Sequence, residues 1–199
     1  IEQFSNNDKF SPELIFLIDF MADELASELP VLVMDVDYFI LAIFNSRSSY
    51  AYTLFKYYFD DDILTTIHDS YWQYISSKTM TAVKPGRKIQ ITPDLENLCK
   101  LAEAEMTKLE SDKITSAHMI LALLANDIGD NRFKKILEKQ KLDYKQFKML
   151  LVEDSISNIE IDLDGDIKLD TTPEDMFPEP KKTSVMDNGY KVVQVSGGN

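Results

Sequence analysis

FSPELIFLIDFMADELASEL, residues 10–29, and ITPDLENLCKLAEAEMTKLE, residues 91–110, are two versions of one pattern. VDYFILAIF (36–44) follows the first after a short gap, and SAHMILALL (116–124) follows the second. Each copy runs through an apolar residue, a hydroxyl residue, Pro, an acid and Leu, then a long apolar-periodic run and a short dense one. Phe10, Ser11, Pro12, Glu13 and Leu14 thus align with Ile91, Thr92, Pro93, Asp94 and Leu95, and Leu41 and Ala42 with Leu121 and Ala122. Self-similarity at a fixed offset is the signature of a duplicated structural unit.

The unit is helical. Ser11 is an N-cap candidate with Pro12 at the first helical position and Glu13 in the first turn. Leu14, Leu17, Ile18, Met21, Ala22 and Leu25 recur at spacings of three and four, which turns one face to the core until Pro30 stops the helix. Thr92 and Pro93 repeat the start, and Leu95, Leu98, Cys99, Ala102 and Met106 form the second stripe. Asp35 or Asp37, and then Thr115 or Ser116, open the second helix of each copy. These two short helices are apolar nearly all round, through Phe39, Ile40, Ile43, Phe44 and Met119, Ile120, Leu123, Leu124, and are therefore expected to be central. Periodicity predicts two further helices per copy, over 49–58 and 61–76 and over 131–140 and 143–153, with 83–88, containing Pro85 and Gly86, as the link. The expected fold class is all-α, about eight helices in two tandem four-helix repeats, with no sheet.

Composition bounds the function. The 199 residues are 44% hydrophobic and 11% aromatic, enough for one ordinary domain to bury a core of its own. A formal charge of -13 repels phosphate backbones and anionic lipid, so polypeptide partners are favoured over nucleic acid or membrane. Cys99 stands alone at an apolar helical position, which rules out an internal disulfide and suits an inert buried thiol in a reducing cytoplasm. No apolar run reaches the roughly 18 residues of a membrane span, and no signal-peptide pattern opens the chain. A first residue other than Met reads as an excised piece of a longer protein.

The hydroxyl-capped first helix, the apolar second helix opening near a small-acid-His triplet and the tandem duplication together resemble the N-terminal Clp repeat domain of Clp-type AAA+ unfoldases, over residues 10–154. The match is plainest in ITSAHMILALL, where His118, Leu121 and Leu124 stand at the family's His and leucines; Asp37 and Tyr38 stand where it has Glu and His. The resemblance implies a pseudo-twofold bundle (repeats 10–77 and 90–154, link 78–89) after an N-terminal extension, 1–9, with 155–199 as an acidic tether to an ATPase ring outside this chain. Its work would be to bind client or adaptor proteins for unfolding and proteolysis, in the cytoplasm. It would be a monomer in isolation and part of a hexamer in the parent, with ATP and Mg confined to the ring and no cofactor in this chain. Some members of the family bind phosphorylated arginine with the first-helix hydroxyl and the triplet's Glu. Carried over, these become Ser11 with Asp37 and Thr92 with Ala117. Ala117 removes the acid from the second pair, and the alternative is that Ser11, Asp37 and Thr92 are helix caps.

No enzyme activity is expected, because no residues of the chain form a catalytic or nucleotide-binding pattern. Gly86 belongs to no GxxxxGK[ST] loop, and His118 has only His68 for company, at no ligand spacing, so it reads as a hydrogen-bonded packing residue. Asp162, Asp164, Asp166 and Asp170 alternate without the Gly and Glu of a calcium loop. The expected contact residues are Ser11, Glu13, Asp37, Thr92 and Asp94 at the helix starts, an apolar groove between the repeats, and Tyr57, Tyr58 and Trp72. The three aromatics belong to a cluster, 50–74, that either wedges between the repeats or presents a binding patch. In the tail, Asp164-Gly165 and Asn188-Gly189 are hairpin signals around an acidic, Pro-rich stretch, so the tail is either paired hairpins or a flexible tether. A different class of reading is a stand-alone adaptor, or a domain that recognises one assembly such as a contractile sheath, without any ATPase.

Overall fold

The computed structural model describes residues 7–25, 33–78 and 90–169, with side chains placed except at 25, 33, 78 and 157–169. The expected extension (residues 1–6 of it), Pro30, the link 79–89, the Pro-rich stretch and the Asn188-Gly189 turn lie outside these residues. The chain divides into one compact unit ending at Lys148 and another beginning at Met149.

Eight α-helices run through the described residues. In the first repeat they are α1 (Pro12–Phe20), extended by a π-type turn, Met21–Leu25, then α2 (Val36–Ser46), α3 (Tyr50–Tyr58) and α4 (Asp61–Lys78). The second has α5 (Pro93–Lys108), α6 (Ser116–Ala125), α7 (Arg132–Lys139) and α8 (Tyr144–Leu169), which begins in the first unit and continues into the second. The helix starts follow local chemistry. Ser11 Oγ accepts from Leu14 N–H at 3.2 Å, Thr92 Oγ1 from Leu95 N–H at 3.2 Å, and Ser49 Oγ from Tyr52 N–H at 3.1 Å. Asp35 and Thr115 cap α2 and α6.

Both central helices are buried on nearly every side, from Asp37 to Phe44 in α2 and from Ser116 to Leu124 in α6. Such burial contributes roughly 1.5–3 kcal/mol for each large apolar side chain, before entropy is set against it. Part of the 50–74 aromatic cluster does wedge between the repeats. Phe55 of α3 lies 5.6 Å from Phe44, 5.8 Å from Phe133 of α7 and 5.5 Å from Phe147 of α8, and Tyr71 of α4 lies 5.9 Å from Phe133. The first repeat supplies Phe44, Phe55 and Tyr71 to this aromatic core, and the second supplies Phe133 and Phe147.

The repeats also exchange their entrances. β1 (Val33–Met34), leading into α2, pairs in parallel with β2 (Gln90–Ile91), leading into α5. Phe10, before α1, bridges Ile114, before α6, in the same sense. These are the only extended pairings among the described residues.

Two expectations are corrected. Residues 159–169, expected as a hairpin about Asp164-Gly165 or a flexible tether, continue α8 as helix to Leu169. A helix already nucleated adds residues at little cost, whereas an isolated two-stranded hairpin is marginal in water. In α5 the stripe closes on Glu105, 2% exposed, and Met106 is left half-buried. Glu105 tolerates burial because its carboxylate accepts from Tyr144 Oη at 2.6 Å and Lys108 Nζ at 3.1 Å.

Candidate functional site

Because the entrances are exchanged, the start of each first helix meets the second helix of the other repeat. Ser11 and Thr92, the hydroxyls of the two expected pairs, each meet a residue of the other repeat. Ser11 N–H donates to the Ile114 carbonyl at 2.9 Å, and Thr92 Oγ1 donates to Asp35 Oδ1 at 2.9 Å. Two pseudo-equivalent corners result, one where α1 meets α3 and α6 and one where α5 meets α2 and α7.

The first corner is closed by one side chain. Glu13 Oε1 accepts from Tyr50 N–H at 2.6 Å and Ser116 Oγ at 2.6 Å, while Oε2 accepts from Ser116 N–H at 2.8 Å and Ser11 Oγ at 3.0 Å. Ser116 Oγ in turn accepts from Ala51 N–H at 2.8 Å. One carboxylate thereby caps the exposed N–H groups of both α3 and α6, and the negative charge sits where two helix dipoles are positive. Ser11, Ser49 and Ser116 are all buried in this clasp.

At the second corner the clasp is smaller, with Asp35 Oδ1 accepting from Val36 N–H at 2.7 Å and Thr92 Oγ1 at 2.9 Å. Asp94 stands for Glu13 and is one methylene shorter, and Val36 stands for Ser116 and has no hydroxyl. Asn131, before α7, sits in the left-handed region at φ 55° and makes no side-chain cap. Asp94 is exposed and accepts no hydrogen bond from a described residue. The corner stays open as a cleft of about 220 Å³, walled by Asp35, Asp37, Asp94 and Asp130 and by Arg132 and Lys134. Arg132 is held by Tyr74, whose ring centroid lies 3.6 Å from its Cζ, and by Asp130, which accepts from its N–H at 3.0 Å and from Nη2 at 3.4 Å. Gly129 enters at φ +59° with the Asp94 carboxylate beside it, so the floor of the cleft is narrow there. Charges of both signs in one concavity suit a polypeptide carrying both.

A second concavity lies farther along α7. Ile63 and Ile67 of α4 and Ile136 of α7 line an apolar groove between the repeats of about 400 Å³, with Asp62 on one wall and Lys139 on the other.

Of the aromatic contact candidates, Tyr57 is 86% exposed. Tyr58 donates to the Lys141 carbonyl at 2.7 Å, and Trp72 stacks on His68 with centroids 6.2 Å apart. The three share no site in the described contacts. His118 closes a capping box at α6, its Nδ1 accepting from Thr115 N–H at 3.0 Å. Burial lowers its pKa from 6.5 to about 4, only partly offset by Glu105. Burial likewise pushes the Cys99 thiol up to about 12. Among the described residues no group of three or more His, Cys, Asp or Glu side chains could hold a metal ion, and no helix is long and apolar enough to cross a membrane.

Sequence reasoning singled out Glu13, Asp37 and Asp94 but missed Asp130, Arg132 and Lys134. Asn131-Arg132 occupies in the second repeat the place of Ser49-Tyr50 in the first, a signal available only once the third helices are aligned.

The chain matches the Clp repeat (R) N-terminal domain family over residues 21–140. No match to a curated protein is found. A solved structure from investigations of a malarial protein secretion system superposes with a TM-score of 0.60 at 18% identity, over 73% of this chain and 94% of that one. The N-terminal domain of the ClpV1 ATPase from the E. coli EAEC Sci1 T6SS gives 0.57 at 17% identity, over 75% and 87%. At these identities the likeness is one of fold.

Proposed function

The chain belongs to the Clp repeat (R) N-terminal domain family, and from that membership we propose that it binds client or adaptor polypeptides for a Clp-type ATP-dependent unfoldase whose ring lies outside this chain. The domain itself binds and does no chemistry; unfolding and any proteolysis belong to the ring and its associates, in the cytoplasm.

The observation that carries this reading is the inequality of the two corners. A duplicated scaffold that used the acid of both first helices for stability would keep both in a clasp, yet Glu13 joins the starts of α1, α3 and α6 while its counterpart Asp94 joins none. Asp94 is left exposed on an open cleft with Asp130 and Arg132, free of a structural task. Polar groups held in a concavity without a structural role are the ordinary material of a recognition site.

The test is fluorescence anisotropy of a labelled, chemically unfolded polypeptide titrated with the domain, beside Asp94→Lys. Reversing an exposed charge leaves the fold intact, which circular dichroism checks. Binding weakened by about tenfold, on the order of 1.4 kcal/mol, supports the cleft as the contact. Equal binding places recognition elsewhere, and no binding by either protein removes the client-docking reading.

A further inference from the structure

Residues 131–148, covering α7 and the start of α8, hold seven basic side chains and two acidic ones in a chain whose net charge is -13. Arg132 and Lys134 face the cleft and are engaged by Asp130 and Asp127. Lys135, Lys139, Lys141 and Lys145 are exposed and pair with no carboxylate of the described residues. Lys135 and Lys139 lie four apart on one helix face and repel each other, a cost that an anionic partner relieves. Of the two local acids, Asp143 is occupied capping α8, where its Oδ1 accepts from Gln146 N–H at 2.9 Å.

This basic edge borders the inter-repeat groove, which Lys139 and Gln140 line from α7. The floor offers Ile63 and Ile67, one helical turn apart along α4, and Ile136 across from them. Every residue lining the groove belongs to α4 or to α7 and its C-terminal end, so the groove offers side chains of two helices against which a third can pack and no open strand edge for an extended segment. The α4 wall carries Asp62, which repels a uniform polyanion such as nucleic acid but not a helix whose acids lie along one edge only.

Resting on the reading of the chain as a polypeptide-docking domain, we propose that the groove between α4 and α7 receives an acidic amphipathic helix of the partner. Its apolar face lies on Ile63, Ile67 and Ile136, and its carboxylates lie along Lys135 and Lys139. Charge fixes the orientation, because the acidic edge of the incoming helix must face α7 and not Asp62.

The experiment titrates the domain into two labelled amphipathic peptides that share their leucines, one built with Glu and one with Lys, at low and high salt. The double variant Lys135→Glu/Lys139→Glu, exposed on both counts, serves as the charge-reversed groove. The expected result is binding of the Glu peptide, weakened by salt and by about tenfold or more in the variant, with the Lys peptide gaining on the variant. Equal affinity of the Glu peptide for both proteins, tighter binding of the Lys peptide to the natural groove, preference for a single-stranded oligonucleotide, or failure of either peptide to bind overturns the proposal. Where the unfolded polypeptide still binds and the Glu peptide does not, the groove assignment falls and the docking function stands.

Discussion

Glu13 and Asp94 are the same residue of the repeat put to different uses, and substitution separates them. Glu13→Ala leaves the N–H groups of Tyr50 and Ser116 without their carboxylate, and is expected to lower stability by roughly 2–4 kcal/mol in urea unfolding. Asp94→Ala, at an exposed position, is expected to cost less than about 1 kcal/mol in the same measurement. Equal losses would contradict the asymmetry of the corners. Tyr71 is fully buried with a hydroxyl that meets no partner among the described residues, so Tyr71→Phe is expected to be neutral or stabilising by up to about 1 kcal/mol in thermal unfolding. His118 gives the pH dependence its sign. Its folded pKa of about 4 lies below 6.5, so the unfolded chain takes up the proton first as pH falls. The neutral imidazole's contribution is complete above about 6.5 and declines toward pH 4, by at most roughly 3 kcal/mol. His118→Gln retains an acceptor for Thr115 N–H without titrating. The stability difference between the two proteins, followed from pH 7 to pH 4, should shift in favour of the variant; a constant difference would refute the assignment.

At the scale of elements, the helices were legible because their signals are local. Ser11-Pro12, Thr92-Pro93 and the three-and-four spacing that follows specify where α1 and α5 start and which face they bury, using only neighbouring residues. What neighbours cannot specify was read differently. Local spacing puts Met106 in the stripe and says nothing of Glu105, whose buried carboxylate is satisfied by Tyr144, far along the chain. Asp164-Gly165 is a hairpin signal in isolation, but the end of a helix running from Tyr144 competes with it and prevails. Gly165→Ala distinguishes the two states. In a helix it adds up to about 1 kcal/mol of local stability and raises the helical circular dichroism, whereas in a type I′ turn it would be unfavourable. A fall in helicity on this substitution would restore the hairpin. The corners were half legible for the same reason. Ser11, Glu13, Thr92 and Asp94 were found by their place at helix starts, but that α1 faces α6 and α5 faces α2 depends on bridges between residues far apart in sequence.

At the scale of the molecule, neither repeat is a self-sufficient domain. Phe44, Phe55 and Tyr71 need Phe133, and Phe55 also needs Phe147, while each repeat's leading strand finds its partner in the other. Residues 1–89 and 90–199 made as separate chains are therefore expected to lack a cooperative unfolding transition, and to regain helicity and cooperativity when mixed. A sharp transition in the first half alone would show that its core closes without the second. The reciprocal bridges have a consequence in time as well as in space. A ribosome delivers Phe10 first and Ile114 about a hundred residues later, an interval of roughly 5–20 s at ordinary elongation rates of about 5–20 residues per second. Through that interval the nascent first repeat presents its aromatic face to solvent with nothing yet made to cover it. A domain whose proposed trade is to receive other unfolded chains thus passes its own birth as such a chain, dependent on whatever shelters the exit tunnel until its second half arrives.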